Sequence, residues 1–170
     1  MALCRAVTLS LTCCLLACPH RGGGDMLEDG LNVPVLPDGS PAPEPCPPNA
    51  KNVITALGLG NPPGGSLAEI DTNQYRSKRL TLFSGPVESV LVERLGPIRA
   101  GSRFYGRIWV TKRGVVIRYY HAQMIKGDVF PICAVARRDA DEMKSNPGAY
   151  PGSAELESST ALIYIVDDFR

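Results

Sequence analysis

From Ser66 onward the apolar residues of this chain fall at every second position, in short runs separated by turn residues. The alternation predicts strands near Ser66–Asp71, Arg79–Phe83, Val87–Arg94, Arg103–Thr111, Val115–Met124, Val129–Arg137, Ala154–Ser158 and Thr160–Val166. Ser84-Gly85-Pro86, Arg113-Gly114 and Lys126-Gly127-Asp128 supply the turns. Upstream the period lengthens. Val53, Ile54 and Leu57 share a face of a helix over Pro48–Leu57, with Pro48 suited to its first turn and Gly58 or Gly60 to its end. Asn61-Pro62-Pro63-Gly64-Gly65 is a turn cluster, and Arg138–Gly152 is expected as a surface loop. The fold expected is mainly β: a small antiparallel barrel or sandwich with one short N-terminal helix.

The central hairpin permits a register. With Arg113-Gly114 as a two-residue turn, Lys112 faces Val115, Ile108 faces Tyr119 and Gly106 faces His121. Phe104, Ile108, Val110, Ile117, Tyr119 and His121 then share an apolar face, expected as core. The opposite face carries Tyr105, Arg107, Trp109, Arg118 and Tyr120, an aromatic–cation ladder and the candidate interaction face. If Met124 pairs with Val129, Cys133 lies opposite Tyr120 on this second face.

The start of the chain obeys a different logic. Arg5 is followed by an uncharged run from Ala6 to Ala17, too short for the ~20 apolar residues that span a bilayer. It ends in Leu15-Leu16-Ala17-Cys18, similar to a bacterial lipobox. On that reading residues 1–17 are a signal peptide and Cys18 is the lipidated first residue, held to the membrane by its acyl chains. A plain cleaved signal or a short buried helix are the alternatives. Pro19 to Pro48 holds eight of the fifteen prolines and keeps no apolar period. Residues 18–45 are therefore expected as an extended, partly polyproline II tether, and residues 46–170 as the single β-rich domain. A Pro-rich ligand for an aromatic groove is the other reading of the tether.

Composition narrows the classes. With 170 residues the chain suits one domain, and 44% hydrophobic against 21% charged residues suits neither a disordered polymer nor an integral membrane protein. A formal net charge of +1 offers nucleic acid no field, and loss of Arg5 with the signal leaves 17 basic against 17 acidic residues. Of six cysteines, three would leave with the signal and one would be acylated, which leaves Cys46 and Cys133. In an oxidising compartment these are expected as a disulfide; two buried thiols or one reactive thiol are the alternatives.

Candidate chemistry is thin. Cys133 with His121 is the obvious nucleophile pair, but the register above points the two to opposite faces and a cystine has no thiolate. Asp139, Asp141 and Glu142 lie near Ser145 and Asn146, yet the pattern lacks the glycine and terminal glutamate of a calcium loop. A solvated acidic loop is the simpler reading. Asp167 and Asp168 read as surface. Gly58, Gly60, Gly64 and Gly65 follow a helix, whereas phosphate loops precede one. Arg76, Lys78 and Arg79 beside Tyr75 form a local basic patch that could meet an anionic glycan or lipid headgroup, and equally a solvated strand start. No Gly-x-Ser-x-Gly, Ser-x-x-Lys or His-Glu-x-x-His pattern occurs. No cofactor or metal is expected.

The order of lipobox, Pro tether, Cys46-Pro47-Pro48, helix and β domain resembles small uncharacterised lipoproteins multiplied in myxobacteria. Leu15 to Cys18, Ala100 to Gly106 and Gly127 to Cys133 with its Phe-Pro-Ile-Cys ending carry the likeness. Some proteins of this look bear a serine/threonine-kinase label, which this chain contradicts: it has no glycine-rich nucleotide loop, no His-Arg-Asp and no Asp-Phe-Gly. The Gly101–Gly106 strand is also similar to β-barrel domains of secretion-system lipoproteins. The tether, the neutral charge and the missing catalytic constellation point to a non-catalytic envelope module, anchored in the membrane through its lipid and meeting an envelope protein or a cell-wall component. Pro19, which is not the aspartate that retains some lipoproteins at the inner membrane, points to the outer membrane. The alternative is a small envelope enzyme or glycan-processing factor using His121 or the acidic loop 139–142.

Overall fold

The structure is a computed structural model that describes residues 30–60, 65–138 and 143–170. In chain order it contains β1 (Glu44–Pro45), α1 (Ala50–Ala56), β2 (Ser66–Glu69), a 3-10 turn (Thr72–Gln74), β3 (Leu80–Phe83), β4 (Gly85–Leu91), β5 (Arg103–Val110), β6 (Gly114–Gln123), β7 (Val129–Arg137), β8 (Met143–Lys144), β9 (Asn146–Pro147), β10 (Ser153–Leu156), β11 (Thr160–Ile165) and β12 (Asp168–Phe169). The expected fold class is what forms. Six antiparallel strands run β5-β4-β2-β11-β7-β6, and β5 pairs with β6 to close them into a barrel. Closure removes the unpaired edges that a sandwich would leave. β8 lies along the start of β6, β3 leaves the barrel to pair with β10, which also pairs with β9, and β1 pairs with β12.

Side-chain size explains how so small a barrel fills. Ala68, Ala161, Ala134, Ala136 and Ala122 are buried, and they leave room for the two rings that occupy the interior, Phe104 and Tyr119. The rings meet edge to face, 5.7 Å apart. The Tyr119 hydroxyl cannot be left unbonded in such a place, and it sits 2.7 Å from Ser89 Oγ, which in turn donates to the Ile70 carbonyl. The interior is a core, not a channel.

The hairpin register differs from the expectation by two residues. Val110 pairs with Val115 and Ile108 with Ile117. The turn is longer than two residues because Thr111 stabilises it: its N–H donates to the Gly114 carbonyl at 2.8 Å, and its Oγ1 accepts from the Arg113 and Gly114 amides. A slip of two leaves every side chain on its face, so the ladder stays together. One residue does change face. A bulge at Tyr120 sets Gly106 opposite Tyr119 but Tyr105 opposite His121. His121 therefore leaves the expected core face and joins Tyr105 on the outer one, half-buried, while Ala122 takes the inner position. Gly106 permits the close approach: a Cβ there would collide with the Arg118 carbonyl oxygen.

The tether expectation fails over residues 30–45, which lie on the barrel. Pro37-Asp38-Gly39-Ser40 is a tight turn with Gly39 at φ 90°, closed by hydrogen bonds from Leu36 N–H to the Ser40 carbonyl and from Ala42 N–H to the Pro34 carbonyl, both 2.8 Å. The Asp38 carboxylate accepts from the Ser40 hydroxyl and amide, which with Arg113 holds it below the usual carboxylate range. Arg138–Gly152 is likewise more structured than a loop, since it contains β8 and β9 and buries Met143 completely. Residues 139–142, and with them Asp139, Asp141 and Glu142, lie outside the described residues, as do Cys18 and residues 61–64.

Candidate functional site

The aromatic–cation ladder is only in part a free interaction face. Trp109, Arg118 and Tyr120 are buried, and Tyr105 and Arg107 are half-buried. The cover comes from two directions: residues 30–45 as a strap, and Phe169 of β12. Arg118 is the centre. Its side chain is 1% exposed, and its guanidinium donates to the Ala42 carbonyl at 2.9 Å, to Glu44 Oε1 at 3.0 Å and to the Pro41 carbonyl at 3.2 Å. The same group lies over the Phe169 ring at 5.2 Å and the Trp109 ring at 5.6 Å. A buried cation needs this many partners, because leaving water costs several kcal/mol.

Tyr120 completes the seam. Its hydroxyl donates to Glu44 Oε1 at 2.6 Å and its ring meets Phe169 edge to face, 5.2 Å away. Burial first, and the Glu44 carboxylate second, push its phenol well above the ordinary value of 10.0. Gly30 lies against Tyr120, Arg107 and Trp109, and the Lys112 amide donates to the Asp38 carbonyl at 2.9 Å. The strap thus docks at Gly30, Asp38, Pro41, Ala42 and Glu44, while Leu31, Val35 and Leu36 between them stay exposed.

Just downstream, Cys46 bonds to Cys133, with Cα atoms 5.3 Å apart. The expected disulfide is present, and it brings α1 onto β7. The helix buries Ala50 and Ile54, while Leu57, just past its end, packs partly buried against the core. The bulge places His121 on the outer face that Cys133 also occupies, contrary to the register expected, but the Cys133 sulfur is in the bridge and fully buried. A Cys–His nucleophile pair is excluded by that bond.

A second feature lies away from the seam, where no sequence pattern points. An open groove of about 530 Å³ runs between the 3-10 turn, β3 and the start of β4. Phe83 and Tyr150 stand at its rim, 52% and 64% exposed, with ring centroids 6.3 Å apart. Asp71 Oδ1 accepts from the Asn73 amide at 2.9 Å, and Asp71 Oδ2 accepts from Gln74 Nε2 at 2.9 Å. Gln74 then bonds both backbone groups of Thr81: its Nε2 donates to the carbonyl at 2.7 Å and its Oε1 accepts from the amide at 3.1 Å. Glu88, also in the lining, pairs with Arg103, which is not. Arg76, Lys78 and Arg79 of the basic patch are not in the groove lining: Arg79 bonds Glu155 at 3.1 Å, and Arg76 covers its neighbour Tyr75 at 5.1 Å.

Sequence reasoning missed Glu44, Phe169 and the groove. The turn Pro37-Asp38-Gly39 is a usable signal for the first, since a Pro-Asp-Gly turn inside a supposed tether implies a folded hairpin. The groove has none, because it assembles from segments up to Tyr150 that no local pattern links. Compared with known proteins, the chain matches no protein-family model and no curated protein sequence.

Proposed function

We propose that the chain is an exported lipoprotein of the kind its N-terminus resembles, acylated at Cys18 and held at the cell envelope, with the barrel as a non-catalytic interaction module. The observation that carries this reading is the Cys46–Cys133 bridge. Stable disulfides belong to oxidising compartments, and these are the two cysteines that remain once residues 1–17 leave and Cys18 is acylated. The order Leu15-Leu16-Ala17-Cys18 supports the anchor, and Pro19 supports the outer membrane.

The strap shortens the leash. With residues 30–45 docked on the barrel, only eleven residues separate Cys18 from the strap, and a stretch of that length spans at most about 40 Å. The domain therefore works close to the membrane surface, where its partner is an envelope protein or a cell-wall component. Replacing Cys18 with Ser tests the anchor. Acyl labelling should vanish and the domain should leave the membrane fraction; retention unchanged by the substitution overturns the lipoprotein reading.

A further inference from the structure

We infer that the groove between the 3-10 turn, β3 and β4 binds a neutral oligosaccharide. Three features of the groove support this. Its rim presents two aromatic rings, Phe83 and Tyr150, 52% and 64% exposed and tilted 36° to each other. Exposed rings side by side at a cleft mouth are a place for an apolar face to stack, and the C–H face of a pyranose is such a surface. Its wall presents oxygen acceptors and amides from Asp71, Asn73, Gln74 and Glu88. Asp71 Oδ1 is filled by the Asn73 backbone amide and Asn73 Nδ2, but Asp71 Oδ2 and Gln74 Oε1 each accept one bond within the wall and keep a lone pair for a sugar hydroxyl. At about 530 Å³ the cleft falls within the usual range for small-ligand sites, about 300–1,000 Å³.

Charge and hydrogen bonding choose among ligands. Among the described residues the lining contains Asp71 and Glu88 and no lysine or arginine. An anionic ligand, whether a phosphate, a uronic acid or a lipid headgroup, would meet repulsion from the Asp71 carboxylate, and the charge of Glu88 is already taken by Arg103. An extended peptide would reach the groove by adding a strand to the edge of β3, but Gln74 already holds both the amide and the carbonyl of Thr81. At Thr81 that edge is already bonded. A neutral polyol needs neither a cation nor a free strand edge. The web from Asp71 through Gln74 to Thr81 also fixes the wall before a ligand arrives, which lowers the ordering cost of binding.

This inference rests on the envelope reading, since an exported domain is the one that meets such chains, but its test is separate. The full chain, purified in a detergent without a sugar headgroup, is titrated with chitohexaose and cellohexaose, with hexagalacturonate as the anionic probe and an alternating Val-Thr hexapeptide as the strand probe. Saturation-transfer NMR and calorimetry should find at least one neutral hexasaccharide bound with a dissociation constant below about 1 mM, and hexagalacturonate not bound. Phe83→Ala and Tyr150→Ala should each weaken binding by about tenfold while the thermal midpoint holds, because both rings lie at the surface. Failure of both neutral saccharides at about 5 mM, binding indifferent to both substitutions, or capture of the peptide alone would each overturn the assignment. Loss of saccharide binding in a protein that still fractionates with membranes through Cys18 removes the ligand and leaves the anchor.

Discussion

Arg118 and Glu44, 74 residues apart in the chain, meet at 3.0 Å beneath the Pro-rich strap, and the Tyr120 hydroxyl shares the same carboxylate oxygen. The pair turns a segment without apolar periodicity into part of the domain. Removing one side of a buried ion pair costs about 3–5 kcal/mol, because the other charge stays behind. Arg118→Met should approach that figure, since it also strips the donors from the Pro41 and Ala42 carbonyls. Glu44→Gln should cost less, about 1–3 kcal/mol, because an amide oxygen still accepts both bonds. Urea unfolding gives the numbers, and hydrogen exchange should show the amides of residues 30–45 losing protection first. Wild-type stability in Arg118→Met with a protected strap contradicts this role for the seam.

The bridge should matter by its loop length. It joins residues separated by 87 positions, and closing such a loop restricts the unfolded chain by roughly 4–5 kcal/mol in the entropy model, with about 2–4 kcal/mol typical in practice. Reduction should lower the urea midpoint accordingly and loosen α1 from β7 before the barrel opens. An unchanged midpoint after complete reduction would show that the bridge adds nothing.

Alkaline pH should destabilise the fold through Tyr119. Burial raises its phenol far above 10.0, and the Ser89 hydrogen bond only partly opposes this. The unfolded chain therefore loses this proton first, so the stabilisation is complete below pH 10 and is lost as pH rises above it. The expected slope is about 1.4 kcal/mol per pH unit from this group. Tyr120, raised for the same first reason, adds in the same direction. Stability curves between about pH 9 and 11 should flatten by about one proton in Tyr119→Phe.

Gly106→Ala should be severe for so small a change. The added methyl meets the Arg118 carbonyl at the bulge where β5 and β6 close the barrel. Overpacking of this kind costs about 1–3 kcal/mol where the core can shift, and backbone yields less than a side chain. A variant as stable as the parent by thermal unfolding would mean that the bulge can move.

Legibility followed the physics of each element. The eight strands read from period two are all present, because half-buried strands must alternate. The register slipped because Thr111 extends the turn with its own hydroxyl, which a count of turn residues does not see. His121 changed face because one extra residue, Tyr120, entered the ladder. The strap shows in sequence only through its Pro37-Asp38-Gly39 turn, because prolines have no N–H to pair and leave no strand period; it docks through carbonyls at Asp38, Pro41 and Ala42 that accept from Lys112 and Arg118. The groove depends on tertiary contact among Asp71, Gln74, Phe83 and Tyr150, and no window of sequence contains it.

The central claim is an exported, lipid-anchored chain with one disulfide, and intact mass spectrometry of the protein from its own cells tests it most directly. The expected mass is that of residues 18–170 plus acyl groups, less two hydrogens, with Cys46 and Cys133 in one linked peptide that separates on reduction. A chain that still begins at Met1, unacylated and with both thiols free, would contradict it.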